Sequence, residues 1–265
     1  MTKTILITGA TDGIGLETAK MIAPSGHTLL LHGRNANKLS EAAEAVCSIS
    51  GAGEIKTYRA DLSILSNVRT LAAEVQEGFE SIDVLINNAG VFKLTNPLTD
   101  EGYDARFIVN VVAPYLLTKT LLPALGDQGR VVNLSSAAQS PVDVRGFLNK
   151  RTFSDGEAYA QSKLALIMWS VEMVRVLDAN GPMIVAVNPA SFLGSKMVKE
   201  AYGREGNDLR IGADILTRAA LSEEFMNASG RYYDNDRKSF AQPHPDALDT
   251  AKNKRLIEAI ENLVS

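Results

Sequence analysis

Up to about residue 188 the chain alternates short β-branched or Leu-rich runs with longer stretches of helical periodicity. Parallel strands need a crossover of a dozen or more residues, usually a helix, so this rhythm restricts the fold to βα units on a parallel sheet. The strand candidates are Thr4 to Thr8, Thr28 to His32, Ile55 to Arg59, Asp83 to Ile86, Arg130 to Leu134 and Met183 to Val187, with Arg231 to Asp234 a weaker seventh. Helical patterns fill the gaps at about residues 14–23, 37–50, 64–78, 102–125 and 158–179. Near-continuously apolar strands call for helices on both faces, and right-handed crossovers then give a Rossmann-type, doubly wound parallel sheet of about seven strands. No linker, repeat or low-complexity tract divides the sequence, so residues 1–265 read as one α/β domain. Past Val187 the pattern loosens, and the segment at about 190–230 reads as a cover over a substrate.

With 45% hydrophobic and 22% charged residues, the chain has the composition of a soluble globular protein able to bury a large core. Its 27 basic and 31 acidic side chains leave a net charge of -4 with no long basic tract, which argues against a nucleic-acid partner. The short basic run Lys252 to Arg255 falls among Leu256, Ile257, Ile260, Leu263 and Val264 at helical spacing, as on the solvated face of a C-terminal helix. The single cysteine, Cys47, permits neither an internal disulfide nor a cysteine metal cluster and implies a reducing compartment. His27, His32 and His244 are too scattered for a metal site, so no metal is expected. Met1 to Thr8 enter a strand without a secretory-signal pattern, and no stretch approaches 18 uninterrupted apolar residues. The expectation is a soluble, cytoplasmic protein with no membrane partner.

The first strand runs into Thr8-Gly9-Ala10-Thr11-Asp12-Gly13-Ile14-Gly15 and then a helix. Glycines let the backbone approach a pyrophosphate, and the free N–H groups and positive dipole end of the helix attract its charge. A tight turn with no ligand is the plain alternative. The second strand ends in His32-Gly33-Arg34-Asn35, with no Asp or Glu between Leu29 and Asn35. An acid here would bind the ribose hydroxyls of NAD, whereas Arg34 can pair with the 2′-phosphate of NADP unless it is simply solvated. NADP(H) is therefore favoured, with NAD(H) possible.

Tyr159-Ala160-Gln161-Ser162-Lys163 opens an apolar helix and places Tyr159 and Lys163 one turn apart on one face. An ammonium beside a phenol favours phenolate and lowers its pKa from about 10 toward neutrality. A tyrosine so tuned can give or take the proton that accompanies hydride transfer. Such pairs also occur by chance on helix surfaces. The fifth strand ends at Leu134 and meets Ser135-Ser136 at the carboxyl edge of the sheet, where doubly wound folds bind ligands. A hydroxyl there can bond a substrate oxygen or cap a turn.

Together these pieces resemble the short-chain dehydrogenase/reductase family over nearly the whole chain. The family's TGxxxGxG pattern falls on Thr8 to Gly15, its adenine-pocket Asp on Asp61 beside Leu62, and its NNAG on Asn87-Asn88-Ala89-Gly90. Its catalytic Asn, Ser, Tyr and Lys fall on Asn110, Ser136, Tyr159 and Lys163. The resemblance implies that Tyr159 is the general acid/base, that Ser136 orients the substrate oxygen, that Lys163 binds the nicotinamide ribose and tunes Tyr159, and that Asn110 supports a water in the relay. It also implies cofactor contacts from Gly9, Thr11, Asp12, Gly13, Ile14, Gly15, Arg34, Asp61, Leu62, Asn88, Ala89, Gly90, Tyr159, Lys163, Pro189, Ser191 and Ser195.

Three features depart from the family's pattern. Ser136 and Tyr159 lie 23 positions apart, a longer separation than the family often has. The longer loop resembles the subgroup containing retinol dehydrogenases, protochlorophyllide reductases and WW-domain oxidoreductases. The Pro-Gly after the sixth strand is Pro189-Ala190 here, which changes the backbone near the nicotinamide, and the Thr that follows is replaced by Ser195 with the spacing shifted by one.

The expected activity is NADPH-dependent interconversion of a carbonyl and an alcohol on a small organic substrate, with the hydride chemistry residing in the nicotinamide. Phe92, Phe147, Leu148, Phe153, Phe192 and Met197 are candidate pocket walls and point weakly to an apolar substrate, although core packing or lid closure accounts for every one of them. Two alternatives stay open: a dinucleotide-binding regulator without turnover, and an enone reductase acting on a carbon–carbon double bond. Met168 and Trp169 read as core or interface residues. Exposed apolar helix faces between Leu164 and Leu177 would suit a homodimer or homotetramer.

Overall fold

The computed structural model describes residues 1–177, 181–196, 198–199, 203 and 205–265. The first half of the chain is β1 (Thr4–Ile7), α1 (Gly13–Ile22), β2 (Thr28–Gly33), α2 (Ala36–Cys47), β3 (Ile55–Arg59), α3 (Leu65–Gly78) and β4 (Val84–Asn87). There follow α4 (Ala105–Phe107), a π-helical turn (Ile108–Val112), α5 (Ala113–Leu125), β5 (Arg130–Leu134), α6 (Val144–Leu148), α7 (Asp155–Leu177) and β6 (Met183–Asn188). The chain closes with α8 (Leu209–Leu221), β7 (Tyr232–Asp234), β8 (Ser239–Ala241) and α9 (Thr250–Val264).

One sheet runs in the order β3-β2-β1-β4-β5-β6-β7-β8. Its first seven strands are parallel, and β8 alone is antiparallel, returning from β7 with Tyr233 opposite Phe240. The sheet therefore has eight strands where the sequence predicts about seven. Three-residue β8, with exposed Ser239 at its start, carries too little apolar periodicity to register as a strand.

Alternation of side chains along each strand divides the core in two. Leu6, Leu30, Leu85, Val131 and Ile184 face the layer of α3, α5, α7 and α9, whereas Ile5, Ile7, Leu29, Leu31, Ile86 and Val185 face that of α1, α2 and α8. The order reverses between β1 and β4, so the loops leaving their carboxyl ends part and open a crevice. Those loops are Thr8 to Asp12 and Asn88 to Val91, two of the segments that the motifs single out.

Two expectations change. The segment 190–230 is not a cover throughout, because Leu209–Leu221 is the crossover helix that parallel β6 and β7 require. It buries Ile215, Leu216, Ala219 and Ala220 against the sheet and packs on α1. The apolar face of α7 is not exposed: Leu164, Ile167 and Trp169 have no accessible surface, and α9 with the Pro245–Leu248 turn packs over that helix. The surface on which the homodimer or homotetramer expectation rested is thus covered by the chain itself, leaving Val176 exposed.

The span Ala105–Leu125 is long and apolar enough to cross a membrane, yet 67% of its most apolar window is buried inside the fold. It is a central helix of the core, packed on α3 and, through its π-helical turn, on α7.

Candidate active site

The turn after β1 is built by close approach. Gly9 has φ of 66°, and a Cβ there would come within 2.9 Å of the Ala89 Cα. A Cβ on Gly15 would come within 2.4 Å of both the Asn88 Nδ2 and the Gly9 carbonyl oxygen, so no larger residue fits either position. Asn88 Nδ2 donates to the carbonyls of Thr8 (2.8 Å) and Gly9 (3.0 Å), and Thr8 Oγ1 accepts from the amides of Asn88 and Ala89. The side chain of Asn88 therefore braces the glycine turn, while Asp12 caps α1 by accepting from Gly13 N. On the outer side the turn is open: a Cβ on Gly13 would meet only the Ser195 side chain, at 3.9 Å. The geometry leaves room for a phosphate at the N-terminus of α1 and brings Ser195 beside it.

His32 is the brace that sequence reasoning passes over. Its Nδ1 accepts from Gly9 N (3.2 Å), and its Nε2 lies 3.1 Å from the Ala60 carbonyl oxygen, to which it donates. The ring ties the glycine turn to the end of β3, next to Asp61 and Leu62. Burial lowers its pKa to about 4, which keeps the Nδ1 acceptor free of a proton. No motif signals this role; the clue is a histidine at the carboxyl end of a buried strand beside the glycine turn.

Asp61 accepts from both the amide and the hydroxyl of Ser63, at 2.9 and 2.7 Å. Burial raises its pKa, but these bonds and the nearby Arg34 guanidinium outweigh it and leave the carboxyl below its ordinary value. Arg34 is exposed at the end of β2, so a charged guanidinium and a charged carboxylate border this end of the crevice.

On the other side of the crevice, β5 delivers the serine pair in two directions. Ser135 is buried and donates to the Lys163 carbonyl oxygen at 3.0 Å, so it is a structural link to α7. Ser136 is half-buried, and its Oγ accepts from Ala138 N at 3.1 Å. Its carbonyl accepts from Gln139 Nε2 and from the Tyr232 hydroxyl.

Lys163 is 4% exposed and donates to the Leu134 carbonyl oxygen at 2.6 Å; its Nζ stands 5.6 Å from the centre of the Tyr159 ring. Burial lowers its pKa to about 8. Asn110 sits in the π-helical turn, a distortion often found at functional sites. Its amide accepts from Val91 N (2.8 Å) and donates to Val91 O (2.9 Å) and to Ser162 Oγ (3.0 Å), joining the loop after β4 to α7. Gly90 lies against both groups, since a Cβ there would be 3.4 Å from Asn110 Oδ1 and 3.5 Å from Lys163 Nζ. Phe92 meets the Tyr159 ring edge-on at 4.9 Å.

The long stretch between Ser136 and Tyr159 folds as its own small unit. Phe147 and Phe153 are buried against Phe107, with ring centres at 4.6 and 5.5 Å. They are therefore core residues of this loop and not pocket walls, and Leu148 lies exposed on its surface. Arg106, 1% exposed, pairs with buried Asp104 at 2.6 Å and with Asp155 at the start of α7. That ion cluster anchors the N-terminus of the helix carrying Tyr159 and Lys163, a role the sequence does not advertise. Of the remaining candidate walls, Phe192 is 51% exposed beyond β6, and Met197 lies outside the described residues.

After β6, Ala190 has φ of 116°, in a region that favours glycine, and Phe192 has φ of 54°. The Pro189 carbonyl accepts from Asn235 Nδ2 at 2.9 Å. Ser191 donates through both its amide (2.8 Å) and its hydroxyl (2.7 Å) to Asp236. The amide and hydroxyl of Ser191 are thus held by the β7–β8 turn, while its carbonyl accepts from Asn207 Nδ2 at 3.3 Å. Asn235 and Asp236 are a further pair that no motif marked.

The family model for short chain dehydrogenase matches residues 3–206. Human retinol dehydrogenase 13 is 30% identical over 277 residues, spanning 96% of this chain and 82% of that protein. Among solved structures, an uncharacterized protein from Mycobacterium paratuberculosis superposes with a TM-score of 0.77 at 28% identity, covering 99% of this chain and 93% of that one. The angucycline C-6 ketoreductase LanV with bound NADP gives a TM-score of 0.69 at 26% identity, covering 88% and 93%. With the glycine turn, the braced Asn-Asn-Ala-Gly loop and the Ser136, Tyr159 and Lys163 edge gathered at one switch point, these matches place the chain in the short-chain dehydrogenase family of oxidoreductases.

Proposed function

We propose that this chain interconverts a carbonyl and an alcohol on a small substrate using NADP(H), with Tyr159 as the group that gives or takes the proton. The observation that carries the reading is Lys163. It is a buried ammonium whose described hydrogen-bond partner is a backbone carbonyl and not a carboxylate. Burying a charge in that way is costly and contributes little to the fold, which marks the group as kept for chemistry. Standing one helical turn from Tyr159, with Nζ 5.6 Å from the centre of its ring, it puts a cation beside the phenol that is to give or take the proton.

When bound, the nicotinamide supplies or accepts the hydride. The residues present fit such a cofactor: the outer side of the glycine turn has room at Gly13, Ser195 lies beside it, and Arg34 occupies the position where an acid would otherwise meet a ribose. Arg34 supports NADP over NAD, and the NADP-bound ketoreductase supports both that cofactor and a ketone-like substrate. Ser136 is the serine of the pair not engaged with α7, and it can bond the substrate oxygen beside Tyr159. Asn110 contributes by tying the loop after β4 to the helix of Tyr159 and Lys163, which fixes their separation. Phe92, edge-on to Tyr159, offers an apolar wall at the reacting centre.

The test follows nicotinamide absorbance with NADPH and with NADH over a panel of ketones, aldehydes and enones, for the wild type and Tyr159→Phe. Turnover of carbonyls with NADPH that is lost in the variant is the expected result. NADPH binding without Tyr159-dependent turnover on any substrate would overturn it in favour of a regulator, and turnover of enones alone would indicate double-bond reduction.

A further inference from the structure

The end of β7 and the start of the turn that follows, Asp234 to Asp236, lie beyond the residues matched by the family model, yet they bond to the end of β6 and the loop leaving it. We propose that Asp236, together with Asn235, is a positioning residue that bolts the Pro189-Ala190-Ser191 backbone into the shape the nicotinamide end of the site requires. The inference rests on the cofactor reading above.

Ala190 occupies a left-handed conformation that an L-residue adopts only when its surroundings over-determine it. The surroundings that do so come from the hairpin. Asn235 Nδ2 donates to the carbonyl just before Ala190, and Asp236 accepts from the amide and hydroxyl just after it. Asp236 also accepts from Asn188 Nδ2 at 2.9 Å, and Asn188 donates as well to Asp234 at 2.8 Å. The last residue of β6 and the residues on both sides of Ala190 are thus gripped by one turn. The Ser191 bonds hold the Asp236 carboxyl below its ordinary pKa against the opposing effect of burial, so the acceptor stays ionised near neutral pH. The same hairpin reaches the β5 loop, because the Tyr232 hydroxyl donates to the Ser136 carbonyl at 3.2 Å. The two loops that flank the reacting centre are therefore referenced to one edge of the sheet.

Asp236→Ala takes one acceptor from the buried Asn188 amide but leaves that amide bonded to Asp234, so a modest drop in melting temperature is expected and both readouts are made well below it. Two readouts follow the bolt. Hydrogen–deuterium exchange reports the Ser191 amide without any cofactor, and it is expected to quicken by about tenfold in Asp236→Ala. Quenching or enhancement of NADPH fluorescence on titration gives the dissociation constant, expected to rise by about tenfold as Ala190 relaxes out of its strained form. Adding Ala190→Gly to Asp236→Ala should recover part of that affinity, since glycine takes a positive φ without strain. A merely structural aspartate would show no such rescue. Unchanged Ser191 exchange, wild-type affinity in Asp236→Ala, or a loss that Ala190→Gly does not reduce would each overturn the proposal. A wild type that binds no NADPH would overturn the cofactor reading instead, while the exchange of Ser191 still reads the bolt.

Discussion

Acidification should loosen this fold through one imidazole. His32 is buried, with Nδ1 accepting from Gly9 N and Nε2 donating to Ala60 O, and its pKa in the folded chain is lowered to about 4. In the unfolded chain it titrates near 6.5. The folded-state value lies below the unfolded one, so between these limits the unfolded chain binds more protons and stability falls as pH falls. The contribution is intact above the unfolded value and is lost progressively from there to about pH 4. Integrating the linkage between pH 7 and pH 5 gives a loss of about 2 kcal/mol from this residue. Urea unfolding of the wild type and of His32→Gln across that range isolates it, because the amide can still accept from Gly9 and donate to Ala60 but does not titrate. The stability of the wild type relative to the variant should drop by about 2 kcal/mol from pH 7 to pH 5. Parallel pH profiles would refute the reasoning, since they would mean that His32 is either accessible or not engaged by Gly9.

Three further outcomes are expected. Ala190→Gly alone should stabilise the chain by about 1 kcal/mol, the relief of the strained φ outweighing the extra freedom glycine gains when unfolded, and a thermal melt would show it. Arg106→Met should cost about 3 kcal/mol or more by leaving Asp104 buried and unpaired, with faster proteolysis between residues 140 and 155 as the local sign. Arg34→Ala should raise KM for NADPH by about tenfold and leave that for NADH nearly unchanged, as steady-state assays with each cofactor would report.

Much of the scaffold was legible because its information is local. Strands such as Leu29 to Leu31 and Ile5 to Ile7 are apolar on both faces, and the crossover rule then dictates where the switch point lies. The glycine turn was legible for the same reason, since Gly9 and Gly15 leave no steric alternative. What escaped was long-range or weakly periodic. Helix α8 does not stand out in sequence because Gly212, Asp214, Arg210 and Arg218 break up its apolar stripe, although its buried face is ordinary. Phe147 and Phe153 look like pocket walls in sequence, and only their meeting with Phe107, some forty positions upstream, makes them core. The braces are long-range too: His32 to Gly9, Asp236 to Ser191 and Tyr232 to Ser136 lie 23, 45 and 96 positions apart and pair residues that no fixed spacing relates. The apolar face of α7 looks like an interface in sequence because what covers it, α9, comes from the far end of the same chain.

The central claim is that this crevice moves a hydride onto a carbonyl carbon with Tyr159 supplying the proton. Its most direct test is to incubate the protein with a ketone and NADPH carrying deuterium at the transferring carbon, and to analyse the alcohol by mass spectrometry. The account predicts an alcohol bearing the label at its carbinol carbon with the wild type, and none with Tyr159→Phe under the same conditions. Label transfer undiminished by Tyr159→Phe, or no labelled alcohol from a wild type that binds the cofactor, would contradict it.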